Sequence, residues 1–185
     1  RVLLNGQGNG VETWKRNKID ALRRLVRDTT EAMASSVRYQ GKVDWPSRRD
    51  GGGVSNYVVD YGKTLALASH ARLTSAGKVS EVHRLLRAMR QAIRNNGIGG
   101  KIAFHAGSDV FGTLMEICEG YTSTAKGDSV RVEFSKDQGW VSIGGYPILE
   151  MDETYRHPVT GQYVDKLAPK MLVAYATDVP GKVWY

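Results

Sequence analysis

Residues 105–109 read His105-Ala106-Gly107-Ser108-Asp109, which places a His, a Ser and an Asp together. A nucleophilic serine needs a histidine base within hydrogen-bond reach and a third group to orient that base. Ser108 is not in a Gly-x-Ser-x-Gly elbow, and Ser108 or Asp109 reads equally well as the N-cap of a following helix. The four histidines, His70, His83, His105 and His157, share no ligand spacing. With a single cysteine they form no recognisable zinc or iron set, so no metal and no cofactor is expected. Glu150, Asp152 and Glu153 form an acidic patch that reads as a solvated strand end. Gly6-x-Gly8-x-Gly10 lacks a preceding strand and misplaces its third glycine for a dinucleotide turn. Gly97-Ile98-Gly99-Gly100-Lys101 is too short for a phosphate loop and continues into Ile102 in place of Ser or Thr. No catalytic residue is assigned, and the expectation is a protein that is not an enzyme.

Bulk properties agree with a folded body of ordinary kind. The chain has 185 residues, 41% hydrophobic and 24% charged, enough for one compact body or two lobes. No apolar run approaches the roughly 18 residues of a membrane span. Arg1-Val2-Leu3-Leu4 runs at once into an Asn/Gly stretch, unlike a signal peptide. The first residue is not Met, which suggests a start inside a longer gene product. Cys118 has no partner for an intrachain disulfide and lies among Leu114, Met115 and Ile117, so it reads as a packed thiol in a reducing compartment. The net charge of +7 permits an acidic partner without demanding one.

The elements that would carry these residues can be read from periodicity. From Val11 to Val37, apolar residues including Trp14, Leu22, Leu25, Val26 and Met33 recur at helical spacing over some 40 Å. A tight reversal is expected at Gln40-Gly41, a loop at residues 48–53 and a strand at residues 54–59; residues 61–73 resist assignment. A second helix has Val79, Val82, Leu85, Leu86, Met89 and Ile93 on its apolar face and Arg84, Arg87, Arg90 and Arg94 on its flank, with Gly97 suited to a left-handed cap. A strand over 101–105 leads into a third helix that buries Val110, Phe111, Leu114, Met115 and Ile117 and closes at Gly120. Strands follow at 130–134, 140–143, 146–151, 162–164, 171–176 and 183–185. The fold class is α+β, helices early and strands late.

The order of these elements resembles the major capsid proteins of tailed phages, the lambda-like major head protein (E) family with its Hong Kong 97-type fold. Three stretches carry the likeness. Ile19 to Trp45, ending in Val37-Arg38-Tyr39-Gln40-Gly41-Lys42-Val43, is similar to the family's spine helix and the hairpin behind it. Lys101-Ile102-Ala103-Phe104-His105-Ala106-Gly107-Ser108-Asp109-Val110-Phe111 is similar to its strand-then-helix element. Gly145-Tyr146-Pro147-Ile148-Leu149-Glu150-Met151-Asp152, Thr154-Tyr155, Pro158-Val159-Thr160-Gly161 and Lys170-Met171-Leu172-Val173-Ala174-Tyr175 resemble its closing strands.

The resemblance implies a spine helix and hairpin of a peripheral lobe at residues 1–60, an axial lobe at 61–150 and closing strands at 151–185. It implies identical subunits as partners, in pentamers and hexamers of an icosahedral phage or prophage head around double-stranded DNA, with scaffold and portal as further partners. No membrane partner is expected. The subunit would fold in the bacterial host cytoplasm and end in the virion. The family's N-terminal arm and extended loop are expected to be missing from this stretch of chain. Arg23, Arg24, Arg27, Asp28 and Glu31, on the basic side of the first helix, are the expected subunit-facing residues. Three other readings make different demands. An encapsulin-like shell would hold protein cargo in place of DNA. A basic nucleic-acid-binding domain would bind DNA tightly and salt-sensitively as a monomer. A hydrolase would lose its activity with Ser108→Ala.

Overall fold

A computed structural model describes residues 8–48, 53–61, 73–97, 100–121, 130–157 and 160–177. The chain divides into two compact units, residues 1–65 with 155–162, and residues 66–154 with 163–185. The expectations for residues 183–185 and for most of 61–73 and 48–53 lie outside the described residues.

In the first unit, helix α1 runs Gly8–Gln40, six residues longer than the apolar repeat from Val11 to Val37. At 1.5 Å per residue its 33 residues extend about 50 Å. Its stop is a backbone event. Gly41 takes φ +72°, and its N–H still reaches the Val37 carbonyl at 3.0 Å, which closes the last turn as an L-residue rarely could. The chain enters strand β1 (Lys42–Arg48) directly, and β1 pairs antiparallel with β2 (Val54–Asp60) from Lys42↔Asp60 to Arg48↔Val54. Pro46 sits inside β1, which a two-stranded sheet tolerates because both strands are edges. Val43 is buried, and Trp45 lies 5.8 Å from Tyr155, ring centre to ring centre.

The second unit is a five-stranded mixed sheet with two helices. Its strands are β3 (Ile102–Ala106), β4 (Val132–Ser135), β5 (Trp140–Ile143), β6 (Tyr146–Glu150) and, after two short strands β7 (Thr154–Arg156) and β8 (Tyr163–Asp165), β9 (Leu172–Ala176). The order is β4-β5-β6-β3-β9, parallel only between β3 and β6. Helices α2 (Val79–Asn95) and α3 (Ser108–Glu119) pack on the face that carries Phe104, Ala106, Val141, Ile143 and Ile148. Val82 and Leu86 from α2 and Leu114, Ile117 and Cys118 from α3 complete this core. Residues two apart on a strand share a face, so Ala103 and His105 point to the other side.

The two helices are capped differently from one another, and α3 differs from expectation. At α2, the Lys78 N–H donates to the Glu81 carboxylate at 3.3 Å, and Gly97 takes φ +79° just past the end. At α3 the N-cap is Gly107, and no side chain caps it. Ser108 and Asp109 are the first helical residues, and both are exposed. The carbonyl of Pro169 accepts from the Val110 N–H at 3.2 Å, and Met171 O accepts from Gly107 N–H at 2.9 Å. Main chain from residues 169–171 therefore occupies the place a capping side chain would take. A Cβ on Gly107 would fall 2.7 Å from Pro169 Cα, so this contact admits only glycine.

Candidate assembly surface

The residue grouping at 105–109 does not converge. His105 is buried on β3, and its Nε2 lies 3.1 Å from the Tyr175 hydroxyl on β9. Ser108 and Asp109 are exposed on the first turn of α3. His83 stacks obliquely on Tyr146 with ring centres 5.6 Å apart, and His157 Nδ1 accepts from the Thr160 N–H at 3.2 Å. His70 lies outside the described residues. Among the described residues no group of three His, Cys, Asp or Glu side chains could hold a metal ion. Gly8 and Gly10 lie within α1.

The acidic residues near the end of β6 serve different ends. Glu153 pairs with Lys166 at 2.6 Å. Partial burial, and then the neighbouring Asp152 charge, push the Glu150 carboxyl above its ordinary value. Burial, and then the charge of Glu119, raise the Cys118 thiol to about 11, which makes it a packed core thiol.

What remains conspicuous is α1. Arg23, Arg24, Arg27, Asp28 and Glu31 are all exposed. Arg23 faces Asp20 at 3.7 Å, and Arg27 stands 4.0 Å from both Asp28 and Glu31. Such exposed pairs are worth little to folding. At 100° per residue Arg24, Arg27 and Glu31 lie across the helix from the apolar stripe, and Arg23 and Asp28 lie at its flanks. The stripe itself is the feature that sequence reasoning undervalued. Leu22, Leu25 and Val26 keep 61%, 62% and 65% of their surface exposed, and Trp14 and Ile19 about half. Only toward the C-terminal end does α1 bury side chains, at Ala32 and Tyr39. A continuous exposed apolar stripe is uncommon on a protein that works alone. Its signal in the sequence is the length of the apolar repeat, which runs from Val11 to Val37. Among the described residues no helix is long and apolar enough to cross a membrane.

A family model for phage major capsid protein E matches residues 4–185, which defines the class as a structural capsid subunit. The chain belongs to the phage major capsid protein E family. Its place is therefore the virion capsid, in a shell built of identical subunits. No curated protein and no solved structure matches the chain.

Proposed function

We propose that this chain is the folded body of a major capsid subunit with Hong Kong 97-type architecture. In this reading α1 is the spine helix, and residues 1–60 form the spine and hairpin of a peripheral lobe. Residues 61–150 form the axial lobe, and 151–185 the closing strands. The subunit folds in the bacterial host cytoplasm and has no catalytic role. It assembles into pentamers and hexamers of an icosahedral head around double-stranded DNA, with scaffold and portal as assembly partners. The observation that carries this reading is the exposed stripe Trp14-Ile19-Leu22-Leu25-Val26 in a chain whose family builds shells. Covering it with an identical copy removes apolar surface from water at about 25 cal/mol per Å². The charged side of α1, with Arg23, Arg24, Arg27, Asp28 and Glu31, meets neighbouring copies in part and sets register more than affinity. Electron microscopy and sedimentation of the full gene product test the reading. Closed shells or ring-shaped capsomers are the expected result; a protein that stays monomeric under assembly conditions overturns it.

A further inference from the structure

The second unit contains an open cleft of about 560 Å³, between the end of α2, the start of β3 and the β5–β6 turn. It is lined by Arg90, Arg94 and Lys101 around Phe104, Tyr146 and Pro147, with the glycines 100 and 145 at its rim, and none of its described lining residues is a carboxylate. The volume is in the range of small-ligand pockets.

The cations are built in. Gly144 takes φ +60°, and a Cβ there would fall 2.5 Å from His83 Nε2, so the β5–β6 turn sits hard against α2. That contact sets Tyr146 against His83 and, edge-on at 5.7 Å, against Phe104. Arg90 then lies over the Tyr146 ring at 5.7 Å and donates to its hydroxyl at 3.3 Å, which fixes the guanidinium at the cleft wall. Arg94 is one turn further along the same helix. Two arginines at i and i+4 repel, a cost of a few tenths of a kcal/mol that an acidic residue would remove. None is supplied: Arg94 has no ion pair among the described residues. Gly145 takes φ +82° with open space beside it, so a ligand can approach the main chain there.

We propose that this cleft binds a phosphate oxyanion, carried by a free phosphate compound or by the phosphodiester backbone of a nucleic acid. Arg94 and Lys101 supply the charge, and Arg90 is held in place by Tyr146. A carboxylate carries one negative charge and two acceptor oxygens, whereas a phosphate compound such as pyrophosphate carries two or more charges and accepts from several donors at once. The site lies within one unit of one chain, so the proposal does not rest on the capsid reading.

The test uses the intact chain and three probes: pyrophosphate by calorimetry, a labelled oligonucleotide by fluorescence anisotropy, and a tetraglutamate peptide. The expected result is binding of pyrophosphate that falls about tenfold or more in the double variant Arg94→Gln, Lys101→Gln, the loss of one to two charge-assisted hydrogen bonds. The double variant Lys15→Gln, Lys18→Gln removes the same charge from α1 and is expected to stay within about twofold. Oligonucleotide binding that pyrophosphate displaces identifies a phosphodiester backbone as the source; pyrophosphate binding without oligonucleotide binding identifies a free phosphate compound. Arg94 and Lys101 are exposed, and circular dichroism checks that the variants fold. No binding by the parent chain, equal losses in the two variants, or tighter binding of tetraglutamate than of pyrophosphate overturns the proposal.

Discussion

His105 and Tyr175 meet as a diagonal pair across β3 and β9. The register sets His105 opposite Val173 and Tyr175 opposite Ala103, so the two rings share the sheet face turned away from α2 and α3. They meet edge to face at 5.1 Å and 88°, and Nε2 lies 3.1 Å from the phenol oxygen. The one buried polar side chain among the described residues is thus satisfied by its neighbour on the sheet. The imidazole is a fixture of the sheet, and Ser108, exposed on α3, is not its partner.

Tyr175→Phe keeps the ring and deletes the hydroxyl. The expected loss of stability is about 1 kcal/mol, as for a typical buried hydrogen bond. Urea unfolding followed by fluorescence checks it. A change below about 0.3 kcal/mol would show the bond to be immaterial.

Gly107→Ala places a methyl group against main chain at residues 168 and 169, which has no flexible end to yield. A loss of about 3 kcal/mol, at the upper end for overpacking, is expected. Ser108→Ala is expected to stay within about 0.5 kcal/mol, because no Ser108 side chain caps α3. Equal losses in the two variants would restore Ser108 as a structural cap.

Cys118 has a thiol pKa near 11 in the folded chain against 9.0 for the free group. Between pH 9 and 11 the unfolded chain gives up this proton and the folded chain keeps it. The unfolded state then binds fewer protons, and stability falls with rising pH across that window. Below pH 9 the group has no effect. Thiol titration at pH 8 is expected to be slow in the native protein and fast in urea. A thiol that reacts equally fast in both would contradict its burial.

Asp152→Asn removes a negative charge beside Glu150. The Glu150 carboxyl is expected to titrate lower in this variant, though still above its ordinary value, because burial is the larger cause. Carbon-detected NMR titration of the side chain reads the shift. An unchanged midpoint would leave burial as the sole cause.

Leu22→Ser with Leu25→Ser and Val26→Ser replaces side chains that are more than half exposed. Monomer stability is expected to change by about 0.5 kcal/mol or less per site. Shell or capsomer yield is expected to collapse, as sedimentation would show. Normal assembly of the triple variant would remove the stripe from the interface.

The α+β class and most elements were legible because α2, α3 and the central strands combine clear periodicity with glycine punctuation. Val82 and Leu86 recur at helical spacing, and Gly97 and Gly120 end their helices where a stop was expected. Three things were not legible. Strand β1 was not assigned from periodicity, and only the β2 register shows that Pro46 is harmless there. Strand β7 is three residues long, too short for a pattern. The N-cap of α3 was misread because its hydrogen bonds come from residues some sixty positions later, and no local rule reports a distant carbonyl. The candidate surface was half legible. The charged residues of α1 could be picked out, but that the stripe opposite them would stay exposed depends on how much of the chain folds against it.

The inner strand β3, at residues 102–106, is synthesised before both of its neighbours in the sheet, at 146–150 and 172–176. A nascent chain therefore emerges with both edges of β3 unpaired until residue 150 has cleared the ribosome, and with one edge unpaired until residue 176 has done so. Long-range pairing of this kind folds slowly and leaves strand edges open to other copies. Synthesis rate and temperature would govern the yield of sound subunits, and a ribosome stalled between residues 110 and 170 would hold a chain prone to aggregate.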